Sequence, residues 1–293
     1  QHRQPHRHRQ PRKGRLMNAT LTPTLVATPA TAHDAAPRVT ERSVVRSEWI
    51  KFRSLRSNLI GVASAAGALV ALGMMFSSLT GEDTGGPPAA GGGDTVSIAL
   101  GGMTLSQLII GVLAAGFVTS EYTSGLIRTM FSAVADRTPV LRAKAMVFGG
   151  ATWIVMTIAA FAAFFAGRAV YAGSMSTYSI TDPGVLRAVL GAGVYGAGVA
   201  LIGVALGFLL RSAATAIGVL VGTLMIAPVL VGLLPSSISD WLSKILPSNA
   251  GTAFMSVSGN SDLLSPAAGF AVFAAWVVGL LGLAVVMVKR RDA

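Results

Sequence analysis

Residues 59–79 read LIGVASAAGALVALGMMFSSL, twenty-one positions without a single charge. A run of that length and polarity crosses a hydrocarbon core of roughly 30 Å as a helix. Five further runs resemble it, at about 96–119, 146–167, 188–210, 213–234 and 268–288. Lipid offers no partner to backbone N–H and C=O groups, so each run has to be helical. The expected fold class is therefore all-α, a polytopic integral membrane protein with six transmembrane helices. Composition agrees, since only 12% of the residues are charged, about half the share of an ordinary soluble domain. The runs are rich in Gly and Ala, and Gly lets membrane helices approach closely.

Two runs carry interruptions. The second contains Gly101, Gly102, Thr104, Ser106 and Gln107 near its start, which predicts a bent entry or one partly outside the core. The fifth contains Pro228, tolerable in a membrane helix when neighbours satisfy the freed carbonyl. Gly203 with Gly207 and Gly218 with Gly222 show the small-x-x-x-small spacing, read here as close helix packing. Arg211-Ser212 leaves a very tight link between the fourth and fifth runs.

Basic residues flank the apolar runs unevenly. With the N-terminus in the cytoplasm, the inner segments from residue 36 onward hold fourteen Arg/Lys, and the outer loops hold Arg168, Arg187 and Lys244. This bias follows the positive-inside rule. It calls for an even number of spans, with both termini cytoplasmic. The net charge of +11 is thereby read as anchoring at an anionic leaflet, not as a nucleic-acid footprint.

Residues 1–40 are expected to be a disordered tail, basic at first and then rich in Thr, Ala and Pro. There is no Met at position 1, and Met17 follows the basic stretch; the stretch reads as sequence ahead of a start at Met17 or as a basic tail. No apolar run follows the basic residues closely, so a signal peptide is not expected. The membrane body then covers 41–291. Its opening segment, ERSVVRSEWIKFRSLRSN, places Val45, Trp49, Phe52 and Leu59 at helical spacing among Arg42, Arg46, Lys51, Arg53 and Arg56. That pattern predicts an amphipathic interfacial helix over 42–57, with Trp49 at headgroup depth. The Gly/Pro-rich loop 80–95 reads as unstructured, and Ile238, Trp241, Leu242 and Ile245 suggest a short helix resting at the far interface.

The runs look chemically quiet. No acidic, basic or His residue is expected deep within a span, where it would mark a proton relay or ion site. Cys is absent, which removes disulfides, thiolate catalysis and Cys-based metal sites. The four His fall at 2, 6, 8 and 33. No H-E-x-x-H, G-x-S-x-G or P-loop signature occurs. No catalytic, cofactor-binding or metal-binding residue is therefore assigned.

The distinctive polar segment is 120–145, on the expected cytoplasmic side. Glu121, Arg128, Asp136, Arg137, Arg142 and Lys144 lie among apolar rows that include Leu126, Met130 and Phe131. Thr138-Pro139 is expected to break it into a helix–turn–helix. One reading is a solvated loop; the other is a docking surface for a cytoplasmic partner.

Two motifs carry a family resemblance. Ser47-Glu48-Trp49-Ile50-Lys51-Phe52-Arg53-Ser54-Leu55-Arg56-Ser57 is similar to the opening of actinobacterial ABC-2-type transporter permeases. Glu121-Tyr122-Thr123-Ser124-Gly125-Leu126-Ile127-Arg128 resembles the segment that follows their second span, and Asp136 to Lys144 continues it. Leu209 to Ser212 and the Pro228 region are also similar, so the resemblance covers roughly 41–291. It implies a coupling helix at about 121–135 that receives motion from a separate ATP-binding subunit. It also implies pairing with a second permease copy or a related permease. Glu121, Tyr122, Gly125, Arg128 and Arg137 would then serve partner coupling, with Glu121 and Arg128 foremost. Arg137, Arg142 and Lys144 would orient the segment against lipid headgroups. Glu48, Trp49, Lys51, Arg53 and Arg56 would belong to the interfacial helix. ATP and Mg would bind the partner ATPase and not this chain. The implied function is the permease of an ATP-driven exporter in the cell membrane, with lipids as neighbours, no nucleic acid, and a cargo that the residues do not identify. A non-transporting assembly, immunity or sensor protein and an ion-coupled carrier stay open as alternatives.

Overall fold

The computed structural model describes residues 40–81, 94–124, 138–171, 178–257 and 262–290. They lie in one compact unit, and among them there is no β-strand. In chain order the helices are α1 Glu41–Ser54, α2 Arg56–Gly81, α3 Thr95–Ala99, α4 Met103–Thr123, α5 Thr138–Tyr171, α6 Val185–Leu210, α7 Ala213–Gly232, α8 Ser236–Ile245, α9 Pro247–Met255 and α10 Pro266–Arg290. Helices α2, α4, α5, α6, α7 and α10 are long and apolar enough to cross a membrane. The protein is an all-α, multi-pass membrane protein.

Helix α6 is the axis of the bundle and packs against α4, α5 and α10. Of its apolar stretch 72% is buried, against 22% for α7 and for α10. The central position depends on small residues. A Cβ on Gly203 would sit 2.7 Å from the Gly111 carbonyl oxygen of α4, and one on Gly207 would sit 2.8 Å from Val118 Cβ. The other Gly pair behaves differently: Gly218 and Gly222 of α7 face open space. The spacing alone does not distinguish a packed pair from an open one.

Several sequence boundaries move. The interfacial helix ends at Ser54, not 57, because Leu55 is extended (φ −82°, ψ 101°). Arg56 accordingly opens α2 and is not part of the interfacial helix. The break has a physical reason. Helix α1 is fixed to the bundle by its own buried face, whereas α2 runs on as the first span, and one straight helix could not follow both directions. The second span begins at Met103 instead of 96. Residues 95–99 form the separate turn of helix α3, capped by Asp94, whose carboxylate accepts from the Ser97 N–H at 2.5 Å. Thr138-Pro139 starts α5, and the helix expected ahead of it lies outside the described residues. A proline in the first turn forfeits no intrahelical hydrogen bond. Helix α5 therefore extends well before residue 146 and carries Arg142 and Lys144 in its first two turns.

In α7, residues Gly222–Ile226 form a π-turn, closed by the Ala227 N–H donating to the Gly222 carbonyl. Pro228 follows directly. Proline lacks an N–H and crowds the carbonyl four residues back, and a widened turn relieves both constraints. The tight link before α7 works because Arg211 adopts φ 55° as the left-handed cap of α6.

The far end is closed by α8 and α9. Helix α8 has no buried residue, and its Trp241 is 67% exposed. Helix α9 is buried along Pro247, Ala250, Gly251, Phe254 and Met255. Its C-terminal end is clamped from two sides. Arg187 Nη1 and Nη2 donate to the Phe254 and Ser256 carbonyls at 3.0 Å each, and Asp94 Oδ2 accepts from the Val257 N–H at 3.2 Å. Trp276 of α10 donates to the Ile245 carbonyl at 2.9 Å. The expectations for residues 1–39 and for most of loop 80–95 lie outside the described residues.

Candidate functional site

Helix α1 buries Val44, Glu48 and Phe52. The row is helical, i, i+4 and i+8, and it places a carboxylate between two apolar side chains. Phe52 enters a ring cluster, edge-on to Phe148 at 5.5 Å and to Phe117 at 6.3 Å. Trp49 stacks on Phe52 at 6.0 Å and stays 45% exposed. The amphipathic row anticipated from Val45 and Trp49 is thus rotated: the bundle takes Val44, Glu48 and Phe52, while Trp49 and Leu55 remain exposed.

Glu48 is fully buried, and so is Lys144. Together with Glu121 and Lys51 they close a four-membered ring of alternating charge. Lys144 Nζ donates to Glu48 Oε2 at 2.8 Å and to Glu121 Oε1 at 2.6 Å. Lys51 Nζ donates to Glu121 Oε1 at 2.8 Å and to Glu48 Oε1 at 3.1 Å. Two cations and two anions cancel, which is the condition under which buried charges are tolerated. Lys144 also lies 4.5 Å from the centre of the Phe117 ring, so the ring face receives part of its charge. Glu121 Oε2 is buried and has no hydrogen-bond partner among the described residues. For Lys51, burial alone lowers the pKa, but the hydrogen bond and charge of Glu121, then the charge and hydrogen bond of Glu48, outweigh it. The ammonium is held above its ordinary 10.5.

The ring joins three elements. Glu48 and Lys51 come from α1, Glu121 from the last turn of α4, and Lys144 from the second turn of α5. One sequence expectation is corrected by this geometry. Lys144 does not orient against lipid headgroups; it is enclosed, because α1 folds over it and supplies Glu48. Glu121, expected in the polar segment that follows the second span, is buried in the last turn of α4 with its two lysine partners.

The remaining candidate residues separate cleanly. Glu121 and Tyr122 lie in the last turn of α4 and do not begin a new helix. Tyr122 meets Phe208 edge-on at 6.3 Å, with the Arg211 guanidinium 5.4 Å from its ring centre. Arg53 and Arg56 are exposed. Gly125, Arg128 and Arg137 lie outside the described residues, as does most of the expected coupling helix 121–135. Arg142 is exposed and pairs at 3.5 Å with Glu41, itself exposed, a contact worth little in water. Sequence reading missed the clamp made by Asp94 and Arg187, and the buried hydrogen bond from Tyr195 to Gln107. A usable signal for the ring was present: Glu48 and Glu121 each stand in a segment where basic residues outnumber acidic ones.

The fold and this site define a multi-pass membrane protein whose entry helix is bonded to the end of its second span and the start of its third. The family model described as ABC-2 family transporter protein matches residues 44–246, and the chain belongs to that family. No curated protein matches the chain.

Proposed function

We propose that this chain is the permease subunit of an ATP-driven exporter, working with a separate ATP-binding subunit that holds ATP and Mg. The observation that carries this reading is the Glu48–Lys51–Glu121–Lys144 ring. It ties α1 to the ends of α4 and α5, the two helices joined by residues 124–137. Motion delivered to that connection by a partner would therefore pass to three helices at once. Glu121 acts here as a positioning residue; Tyr122, Gly125, Arg128 and Arg137 lie on or beside the connection that a partner would contact.

Charge asymmetry supports placing the ring, both termini and the 124–137 connection in the cytoplasm of a plasma-membrane protein. The open surface of α7, including Gly218 and Gly222, leaves room for a second permease, identical or related.

The test is recovery of a P-loop ATPase with the tagged full chain from its native membrane, and nucleotide-driven transport by the recovered complex. Arg128→Glu should reduce ATPase recovery or coupling, by reversing one charge at a contact. An intact chain that recovers no ATPase would count against an exporter and favour an assembly or sensor role. Transport that persists without ATP and collapses with an ion gradient would identify a carrier instead.

A further inference from the structure

Helix α1 presents a second face that the buried ring does not use. Arg42, Arg46, Trp49 and Arg53 recur at spacings of four, three and four, which is one stripe on an α-helix. At 1.5 Å per residue the stripe is about 16 Å long. All four side chains are exposed. Among the described residues no carboxylate pairs with Arg42, Arg46 or Arg53. The acids of α1 and the one it meets on α4 are engaged elsewhere: Glu48 and Glu121 by Lys51 and Lys144, and Glu41 by Arg142. Because the ring is neutral as a whole, the three guanidinium charges stand without an ion-pair partner among the described residues.

The stripe also has a defined depth. It ends where α2 begins; Arg56 and Ser57 are still exposed at that junction, and the exposed side chains just beyond them, Leu59 and Ile60, are apolar. These mark the start of the hydrocarbon zone, so Arg53 and Trp49 lie at headgroup level. Trp49 is steadied there by its stack on Phe52, and an indole with one apolar face and one wet edge suits that depth.

We propose that Arg42, Arg46 and Arg53, with Trp49 between them, form a binding surface for the headgroups of anionic phospholipids. The occupant follows from charge complementarity and from continuity with the first span. A guanidinium fork matches phosphate oxygens in two-point contact, and each arginine near an anionic surface contributes about a fivefold gain in local lipid occupancy. The inference rests on the membrane placement of the chain and not on its coupling to an ATPase.

The test uses the full chain in vesicles of phosphatidylcholine containing a minor fraction of phosphatidylglycerol. The chain has four tryptophans; Trp153→Phe, Trp241→Phe and Trp276→Phe leave Trp49 as the reporter. Brominated phosphatidylglycerol should quench Trp49 several-fold more than brominated phosphatidylcholine at equal mole fraction. Arg42→Gln with Arg46→Gln and Arg53→Gln should bring that ratio to one, and the corresponding triple Lys variant should keep most of it. A second measurement avoids the tryptophan background: phosphatidylglycerol retained on the otherwise wild-type chain after purification should fall in the triple Gln variant. Equal quenching by the two lipids in the parent would overturn the proposal. So would a lipid preference unchanged in the triple Gln variant, including the case where that variant instead loses a bound ATPase.

Discussion

Lys144 Nζ stands 2.6 Å from Glu121 Oε1 with both side chains enclosed, which bonds the start of α5 to the end of α4. The same ammonium reaches Glu48 of α1 at 2.8 Å. One lysine therefore crosslinks three helices, and removing it leaves two carboxylates facing each other with only Lys51 between them.

Lys144→Met is expected to destabilise the chain by about 3–5 kcal/mol, the usual consequence of leaving a buried charge unpaired. Adding Glu121→Gln should recover part of that loss, because Glu48 and Lys51 then remain as a balanced pair. Thermal or denaturant unfolding in detergent measures both. A single variant that melts like the parent would mean that the ring carries no structural role.

Lys51 gives a pH prediction with a definite sign. Its folded-state pKa lies above 10.5, raised by Glu121 and Glu48 against the opposing effect of burial. A raised lysine adds stability that is fully present below its unfolded pKa and disappears as pH climbs through the folded value. The difference in melting temperature between the parent and Lys51→Met should therefore hold steady up to about pH 10 and shrink only above that. A difference that fades on going from pH 7 to pH 9 would contradict the arrangement.

Gly203 and Gly218 should respond oppositely to the same change. Gly203→Val forces α4 and α6 apart, and overpacking of this kind costs typically about 1–3 kcal/mol. Gly218→Ala enters open space and should stay within about 0.5 kcal/mol of the parent. Melting curves of the two variants side by side decide the matter; equal losses would show that the α4–α6 contact is not close.

Arg187→Ala removes both guanidinium bonds from the end of α9. Arg187 is itself exposed, which places the loss at the low end for charge-assisted hydrogen bonds, about 1 kcal/mol. The local readout is hydrogen exchange at the Val257 amide, which Asp94 holds. Exchange there should quicken while the α6 core amides stay protected. Unchanged exchange would mean that Asp94 secures the segment without help.

The six helices were legible because lipid imposes a simple rule: each crossing has to be long, apolar and internally hydrogen-bonded. Residues 188–210, uncharged throughout, admit no other reading, and the observed α6 extends them only to Val185. Boundaries were less legible where one polar residue changes role with its neighbour. Asp94 sits in a Gly/Pro-rich stretch that reads as loop, yet it caps α3 and holds the end of α9, 163 residues away. Thr138-Pro139 reads as a boundary between helices and is found at the start of α5, because proline is unfavourable inside a helix and harmless in its first turn.

The amino-acid order by itself determined that this chain is a bundle of membrane helices, how many there are, and which family its two polar motifs resemble. Hydrophobic length and local sterics act along the chain, so they can be read along it. Tertiary structure alone decided that Glu48, Lys51, Glu121 and Lys144 form one neutral ring, that Lys144 is enclosed, and which glycines are packed. A charge at the end of a helix is solvated, lipid-facing or buried according to what folds over it. Here that is α1, and its partners come from segments 70 and 96 residues distant.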